Sequence, residues 1–345
     1  MALATINLGA RGKTSDQITT NIFNGIHKDK VNAWFLENIA KRTESLSIAS
    51  RIYVKKQSSI NSVFLSASES FYRSSVERID FSIPETKDYI NKFVSNATKG
   101  HIPDLLDKLS SDTVLMVINA VHFEERFSSH LFDSKNTEKR PFYLENGDQI
   151  QVDTMFGSGN YLYGLYLDRP SYQFASFRYN MGSEYDFFVV VPKESRKIDD
   201  IMSGLSFSGL LESAHSDHFE LWIPKFESNS SFNLKSILQA MGIEGAFDPI
   251  KADFSGLSST TTFLDQSIHK AKGFSSTPCA EIRAPTKERE FSRTTQSTAS
   301  VLFQGFDDAG TAQKRCHTCY LTYEQPSESK HRQSEPLPLS HVAQW

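Results

Sequence analysis

The sequence contains few cysteines and no long hydrophobic segment, and both absences restrict what the protein can be. Its 345 residues include three cysteines, Cys279, Cys316 and Cys319, so none precedes Cys279. A disulfide framework therefore cannot stabilise the body of the fold. No segment approaches the roughly 20 apolar residues that a membrane-spanning helix requires. We therefore predict no membrane partner.

The chain also lacks an excess of charge of one sign. Its 37 Lys and Arg residues nearly balance 41 Asp and Glu residues, and the formal net charge is -4. We therefore predict no nucleic-acid partner. No basic and apolar leader opens the chain, which together with the few cysteines predicts a cytoplasmic protein. Two glycosylation sequons, at Asn96 and Asn229, leave the extracellular space as the alternative, which applies if the true N-terminus precedes Met1.

Sequence motifs of the common enzyme classes are missing as well. The chain contains no G-x-S-x-G, H-E-x-x-H or P-loop motif and no dinucleotide-binding fingerprint. Residues 157–159 are glycine-rich, but no helical pattern follows them, so we interpret them as a turn between strands. Asp199 and Asp200 lie at a predicted helix start, where the helix dipole explains them without catalysis. We predict no enzyme activity, no catalytic residue, no cofactor and no metal ion.

Hydrophobic residues are abundant, at 39% of the chain with 26 Phe, which is enough for a large core. Apolar residues at helical spacing come mainly in the first hundred residues. They predict helices at about 1–9, 14–23, 29–41, 61–72 and 84–99. One further helix is expected from about Phe232 to Met241, ending at Gly242.

Strand patterns dominate the second half of the chain. Alternating or apolar strand patterns occupy about 46–54, 75–81, 161–167, 172–179, 185–191 and 218–223. Residues 114–123 form an almost continuous apolar run, typical of a strand buried on both faces in the middle of a sheet. Asn119 inside this run is costly to bury unless it is hydrogen-bonded, so we expect a partner for it. Since βαβ alternation is missing, we predict an α+β fold with a multi-sheet β core.

Many short segments resemble the serpin family of serine protease inhibitors in the family's order and spacing. These segments are residues 1–4, 8–12, 47–53, 90–94, 98–102, 104–106, 119–123, 223–226, 234–235, 241–243, 246–249, 252–256 and 268–271. Phe127 stands where the family usually has tryptophan, and Phe132 and Thr137 follow in the segment expected after it. So many matches in register do not arise by accident. The chain is therefore identified as a member of the serpin family.

The resemblance implies a fold and a mechanism. The fold is one domain with three β-sheets and about eight helices, without enzymatic chemistry. An inhibitory serpin offers an exposed loop to a serine protease, and the cleaved loop inserts as a new strand into the largest sheet. By the same resemblance, Asn119 and His269 form a polar cluster beneath the centre of that sheet, where strands must part. The alternative is that each side chain satisfies a neighbouring backbone group.

The resemblance ends soon after residues 268–271, which divides the chain into two parts. We expect a partial serpin-like domain at 1–273 and a divergent, disordered tail at 274–345. The tail holds five of the 12 prolines and is rich in Ser, Thr and charged residues, which is typical of disorder. Hydrophobic periodicity persists only at 299–303, and Pro278 argues against a central strand. Because the family also has core elements before the position of Met1, we expect a domain incomplete at both ends.

Two motifs in the tail are candidate sites. Residues 306–312 resemble the hinge of the family's loop, but long polar side chains follow where small residues should permit insertion. The hinge-like residues are Asp308, Gly310, Thr311 and Ala312. Cys316 and Cys319 have the spacing of half a zinc site, but only Cys279 is left to complete it, so we interpret them as solvated thiols. The reactive site itself is not recognisable.

Two functions therefore stay open. The first is a serpin-family inhibitor of a serine-type endopeptidase that acts by reactive-loop insertion, with a serine protease as its partner. The second is a non-inhibitory serpin-like binding protein, or an incomplete splice or gene-model product without inhibitory activity. The hinge and the reactive loop decide between them, and neither is recognisable in the sequence.

Overall fold

The computed structural model describes residues 1–39, 44–144, 148–166, 172–180, 182–183, 185–192, 210, 212, 214–275, 298–302 and 317–320. These residues contain six α-helices and twelve β-strands, which confirms the predicted α+β class. The resemblance implied about eight helices and three sheets; the described residues form six α-helices and two sheets. None of the described helices is long and apolar enough to cross a membrane.

The first half of the chain contains five helices and three strands. They are α1 (Ala2–Gly9), α2 (Gly12–Phe23), α3 (Lys28–Ile39), β1 (Leu46–Lys55), α4 (Ser62–Tyr72), β2 (Ser75–Ile79), α5 (Thr86–Ala97) and β3 (Leu115–Glu125). All eight elements were predicted from hydrophobic patterns. Gly100 terminates the turn after α5 in a left-handed conformation, with φ of 84°, which glycine adopts without steric cost.

The second half is rich in strands. Its elements are β4 (Thr137–Tyr143), β5 (Gln149–Tyr166), β6 (Tyr172–Arg178), β7 (Asp186–Pro192), β8 (His215–Pro224), β9 (Phe226–Asn233), α6 (Lys235–Ala240), β10 (Gln266–Ser275), β11 (Thr298–Leu302) and β12 (His317–Tyr320). Helices therefore cluster early in the described chain and strands late, as the sequence predicted.

Two predicted helix starts are wrong. Helix α2 begins before Thr14, because the Thr14 hydroxyl accepts a hydrogen bond from the Asp253 amide, at 3.0 Å, instead of capping its own helix. Helix α6 begins at Lys235 rather than near Phe232. Phe232 belongs to β9, where it pairs with His269 of β10. In both places a contact with a distant segment overrides the local pattern.

The glycine-rich residues 157–159 are also different from the prediction. They lie inside β5 rather than in a turn between strands. Gly157 is needed there because a Cβ at this position would collide with the Leu131 carbonyl oxygen. Asp199 and Asp200, predicted at a helix start, lie outside the described residues.

The first sheet has the strand order β2-β1-β3-β10-β9. Strand β3 is therefore the middle strand, as its apolar sequence predicted. It pairs antiparallel with β1 but parallel with β10, over a register that runs from Met116 opposite Gln266 to Glu125 opposite Ser275. We call this parallel β3–β10 pairing the seam. Strands β2 and β9 form the two edges of the sheet.

The second sheet is antiparallel and has the order β12-β11-β7-β6-β5-β4, with β8 paired to β5. Strands β11 and β12 belong to the predicted tail; β11 pairs with β7, and β12 pairs with β11. The stretch of hydrophobic periodicity at 299–303 coincides with β11. The remaining residues of the tail after Ser275 lie outside the described part of the chain.

Helices cover both faces of the first sheet, which explains why β3 is apolar throughout. The helix-covered core on one face includes Ile6, Ile18, Ile52, Val54, Phe64, Leu115, Val117 and Leu238. The core on the opposite face, beneath α5, includes Tyr53, Ile90, Val94, Leu105, Leu106, Met116, Ile118 and Ala120. Full burial of one such aliphatic side chain stabilises the fold by about 1.5–3 kcal/mol.

A third, aromatic core lies beyond the end of β3. Its members include Phe127, Phe132, Tyr161, Phe177, Tyr179 and Phe187. The Phe127 ring stacks on Tyr179, with centroids 4.8 Å apart and planes at 8°. The phenylalanine that replaces the family's usual tryptophan is therefore a packed core residue, and it joins the end of β3 to the second sheet.

Asn91 holds the loop after α5, residues 98–114, against the first sheet. The buried Asn91 amide donates to the Leu106 carbonyl at 3.0 Å and accepts from the amides of Leu105 and Leu106 at 3.1 and 2.8 Å. All three bonds are buried, so each loop group would be unpaired without the side chain. This one residue therefore holds the loop that crosses the sheet.

We predict that Asn91→Ala lowers the free energy of unfolding by about 2–4 kcal/mol, because it leaves buried amide and carbonyl groups without partners. Urea unfolding of the full chain measures the change. The control is Asn96→Ala, on the exposed face of the same helix, which should change the stability by about 0.5 kcal/mol or less. Equal losses for the two variants would contradict the role assigned to Asn91.

Candidate functional site

Asn119 and His269 face each other in the middle of the seam. They are direct register partners, and the Asn119 Nδ2 atom lies 3.0 Å from the His269 Nδ1 atom. With the amide in this orientation, its nitrogen donates and the Nδ1 atom accepts. The structure thus brings together the two residues that the resemblance implied to form a cluster. Their role in sheet opening stays a prediction.

The pair belongs to a polar row that spans three neighbouring strands of the sheet, β1, β3 and β10. Asn119 is opposite Ser50 of β1 on its other side, and Ser50 is buried. The Asn119 Oδ1 atom is buried, and no described residue donates a hydrogen bond to it. A buried acceptor without a donor costs about 1–3 kcal/mol. The middle of the seam is therefore polar and lies between apolar neighbours.

This polar row separates two apolar regions on the same face of the sheet. Val117, two residues before Asn119, packs in the helix-covered core. Phe123, on the same face further along β3, packs against the aromatic core. The polar side chains therefore lie where neither apolar core continues.

The loop after α5 bridges the seam on the other face. The Lys270 Nζ atom of β10 donates to the Asp104 carbonyl of that loop at 2.6 Å. At the start of the seam, the Gln266 amide donates to the Thr113 hydroxyl at 3.4 Å. Parting β3 from β10 therefore requires this loop to change its contacts.

Three titratable side chains meet near the far end of β3. His122 is buried, and its ring stacks on His101 with centroids 3.7 Å apart and planes at 6°. Burial, and then the charge of His101, lower the pKa of His122 to about 4. Glu124 lies 3.6 Å from His101. Because His101 and the strand residues are distant in sequence, spacing alone contained no signal for this group.

The remaining predicted site residues fall in the tail. The hinge-like residues Asp308, Gly310, Thr311 and Ala312 lie outside the described residues. In chain order they fall between β11 and β12 rather than directly after β10. Cys279 and Cys316 also lie outside the described residues, and Cys319 belongs to β12. The roles predicted for all of them stay predictions.

Comparisons with known proteins define the class. The family described as Serpin (serine protease inhibitor) matches residues 1–299, which include every described element up to the start of β11. The chain therefore belongs to the serpin family, which confirms the resemblance seen in the sequence. The match extends past the predicted domain end at residue 273.

Individual relatives agree with the family. The chain is 28% identical to Serpin B6 of Pongo abelii over 286 residues, which cover 78% of this chain and 75% of the relative. It is 27% identical to Serpin B11 of Homo sapiens over 301 residues, covering 78% and 76%. Membership of this family supports a serine protease inhibitor function in general.

Solved structures have the same fold. Human thyroxine-binding globulin complexed with thyroine superposes with a TM-score of 0.74 at 21% identity, covering 92% of this chain and 88% of the other. Native protease nexin-1 with heparin gives a TM-score of 0.72 at 23% identity, with the same coverage. At these identities the likeness shows the fold alone.

We predict that the Asn119–His269 contact is energetically coupled. Asn119→Ala and His269→Ala, made separately and together, form a double-mutant cycle in which unfolding free energies are measured with urea. The coupling energy should be about 0.5–1.5 kcal/mol, the net contribution of one hydrogen bond.

The control cycle combines Ser50→Ala with His269→Ala. These residues lie on strands β1 and β10, on opposite sides of β3. They are separated by two strand spacings, roughly 9–10 Å, so their effects should add to within about 0.5 kcal/mol. A coupling of zero between Asn119 and His269 would show that the contact does not stabilise the seam.

Proposed function

We propose that the chain inhibits a serine protease by inserting a segment of its own backbone, as a strand, between β3 and β10. The observation that carries the proposal is the parallel seam at the centre of the first sheet. Family membership supports a serine protease as the partner. The mechanism and the individual target go beyond what the family alone supports.

The hydrogen-bond ladders favour insertion. A parallel ladder is slightly less stable per residue than an antiparallel one. A strand that enters the seam antiparallel to both β3 and β10 would exchange one parallel ladder for two antiparallel ladders. The inserted backbone groups would leave water, and alternate residues would pair with β3 and with β10. Insertion would therefore leave the sheet more stable than before.

The side chains of the seam offer few obstacles to parting. The Asn119–His269 hydrogen bond joins β3 and β10 on one face, in a row where the Asn119 Oδ1 atom is already unsatisfied by any described donor. On the other face the Lys270 bond to Asp104 holds the loop after α5. Each such bond contributes about 0.5–1.5 kcal/mol, or up to about 3 kcal/mol with a charged donor. These energies are small compared with a new pair of ladders.

The chain order provides a segment in the right place. Strand β10 ends at Ser275 and β11 begins at Thr298, so residues 276–297 connect them. Strand β3 is 11 residues long, shorter than this connection. A segment that turns back after β10 would run antiparallel to both strands of the seam, which is the direction the ladder argument requires.

A non-inhibitory binding protein is the second candidate. Pro278 and Pro285 lie within the 276–297 connection. Because proline has no amide hydrogen, it cannot donate to a central ladder. If these prolines prevent insertion, the protein would bind a partner without trapping it. The cytoplasmic location and the absence of nucleic-acid and membrane partners stay predictions under both functions.

A disulfide that holds β3 and β10 together tests whether inhibition requires the two strands to separate. Val121 and Ala271 are register partners across it, and adjacent strands bring Cα atoms within the range that a disulfide can join. The variant carries Val121→Cys and Ala271→Cys, with Cys279, Cys316 and Cys319 replaced by serine. Mixed with trypsin-like and chymotrypsin-like proteases, the reduced variant should form a detergent-stable covalent complex. The oxidised variant should only be cleaved.

The matched control uses the same Val121→Cys with Ile48→Cys, its register partner on β1. This disulfide locks a pair of strands that insertion leaves together, so the complex should form in both redox states. Failure of every reduced form to give a complex would favour the non-inhibitory function. A complex that forms equally with the seam locked would refute strand insertion.

A further inference from the structure

The side chains of His101, His122 and Glu124 come together where the turn after α5 meets the end of β3. One nitrogen from each histidine and one oxygen from the carboxylate all lie within 4.8 Å of one another. We propose that these three residues bind a single zinc ion and so fasten the turn after α5 to β3. This proposal is independent of protease inhibition, because it concerns only described residues outside the polar row of the seam.

The donor set is one that zinc uses in proteins. Two imidazole nitrogens and one carboxylate oxygen, with a water in the fourth position, form a common three-ligand zinc site. Two ligands at about 2.0–2.1 Å from a tetrahedral ion are roughly 3.3 Å apart. The His101 Nε2 and Glu124 Oε2 atoms are already 3.6 Å apart. These two donors are therefore already close together before the His101 ring turns.

One ring must turn to complete the site. The imidazole lone pairs lie in the ring planes, and the two rings are stacked almost parallel, with planes at 6°. His122 is buried, with 2% of its surface exposed, so its ring is held by the surrounding residues. His101 has 33% of its side chain exposed and follows Gly100, outside the helix. His101 is therefore the ligand that rotates onto an ion already bound by His122.

Three cations lie near the cluster; Arg126 contacts one oxygen of Glu124, and the two lysines contact groups outside the cluster. Arg126 lies 3.9 Å from the Oε1 atom of Glu124, which leaves the Oε2 atom directed towards His101. The Lys99 Nζ atom donates to a backbone carbonyl at 3.1 Å. Lys272, the register partner of His122, lies 3.1 Å from a carboxylate oxygen of Glu227. A zinc ion can therefore bind without displacing these contacts.

An open cleft reaches two of the three proposed ligands, His122 and Glu124. Its volume is about 380 Å³. The lining includes Glu44, Ser45, Lys99, His122, Glu124 and Asn180. A hydrated ion fits into this space and can exchange water for the protein ligands one at a time. The cleft also leaves room for the water that completes the tetrahedron.

Zinc chloride titration calorimetry on the full chain tests the proposal. All proteins carry serine at positions 279, 316 and 319, so that the tail thiols cannot bind the metal. We expect one zinc ion per chain, and an affinity that falls at least tenfold in His101→Gln and in Glu124→Gln. Both replaced side chains are partly exposed, so these variants should fold even where a change at buried His122 would not.

The matched control is His130→Gln, an exposed histidine in the segment that follows β3. It should leave the zinc affinity unchanged. Copper(II) provides a second readout, since imidazole nitrogens also bind it. The electron paramagnetic resonance spectrum should show two coupled nitrogens in the parent chain and one in His101→Gln. No zinc binding, or an affinity in both ligand variants equal to that of the parent chain, would show that the two rings only pack.

Discussion

The parallel pairing of β3 with β10 is the interaction on which the rest of the structure depends. It joins two segments that are far apart in sequence. Asn119 and His269, which pair across it, are separated by 150 positions. Strands β1 and β2 attach to one side of this pair and β9 to the other. The helix-covered core and the core beneath α5 then pack on the two faces. The seam therefore determines where the other three strands of the first sheet and the two cores on its faces lie.

The same pairing is also suited to being replaced. A parallel ladder is the weaker kind, and here its middle carries a polar row in which the Asn119 Oδ1 atom has no described donor. A whole domain is stable by only about 5–15 kcal/mol, so the pairing of a few buried polar groups is a substantial fraction. The fold thus places its parallel ladder, with polar side chains in the middle, where an added strand would gain hydrogen bonds on both of its sides.

Local hydrophobic patterns and the family resemblance were enough to predict the central strand of the first sheet and the polar pair on it. The apolar run of β3 indicated a central strand, and the buried Asn119 required a partner, which is His269. Contacts between distant segments that the resemblance does not include were not predictable in this way. The Thr14 hydroxyl accepts a hydrogen bond from the Asp253 amide instead of capping its own helix. Gly157 lies inside the long strand β5, where a Cβ atom would collide with the Leu131 carbonyl oxygen. The cluster of His101 with β3 depends on the same kind of contact, since the loop after α5 returns across the sheet.

The central claim is that a strand enters between β3 and β10, and the width of the sheet tests it most directly. Spin labels at Arg78→Cys on edge strand β2 and Ser231→Cys on edge strand β9, in a chain with its native cysteines replaced, report the distance across all five strands. After cleavage by a protease, pulsed electron paramagnetic resonance should show this distance increased by about 4.8 Å, one strand spacing. An unchanged distance after complete cleavage would contradict insertion at the seam.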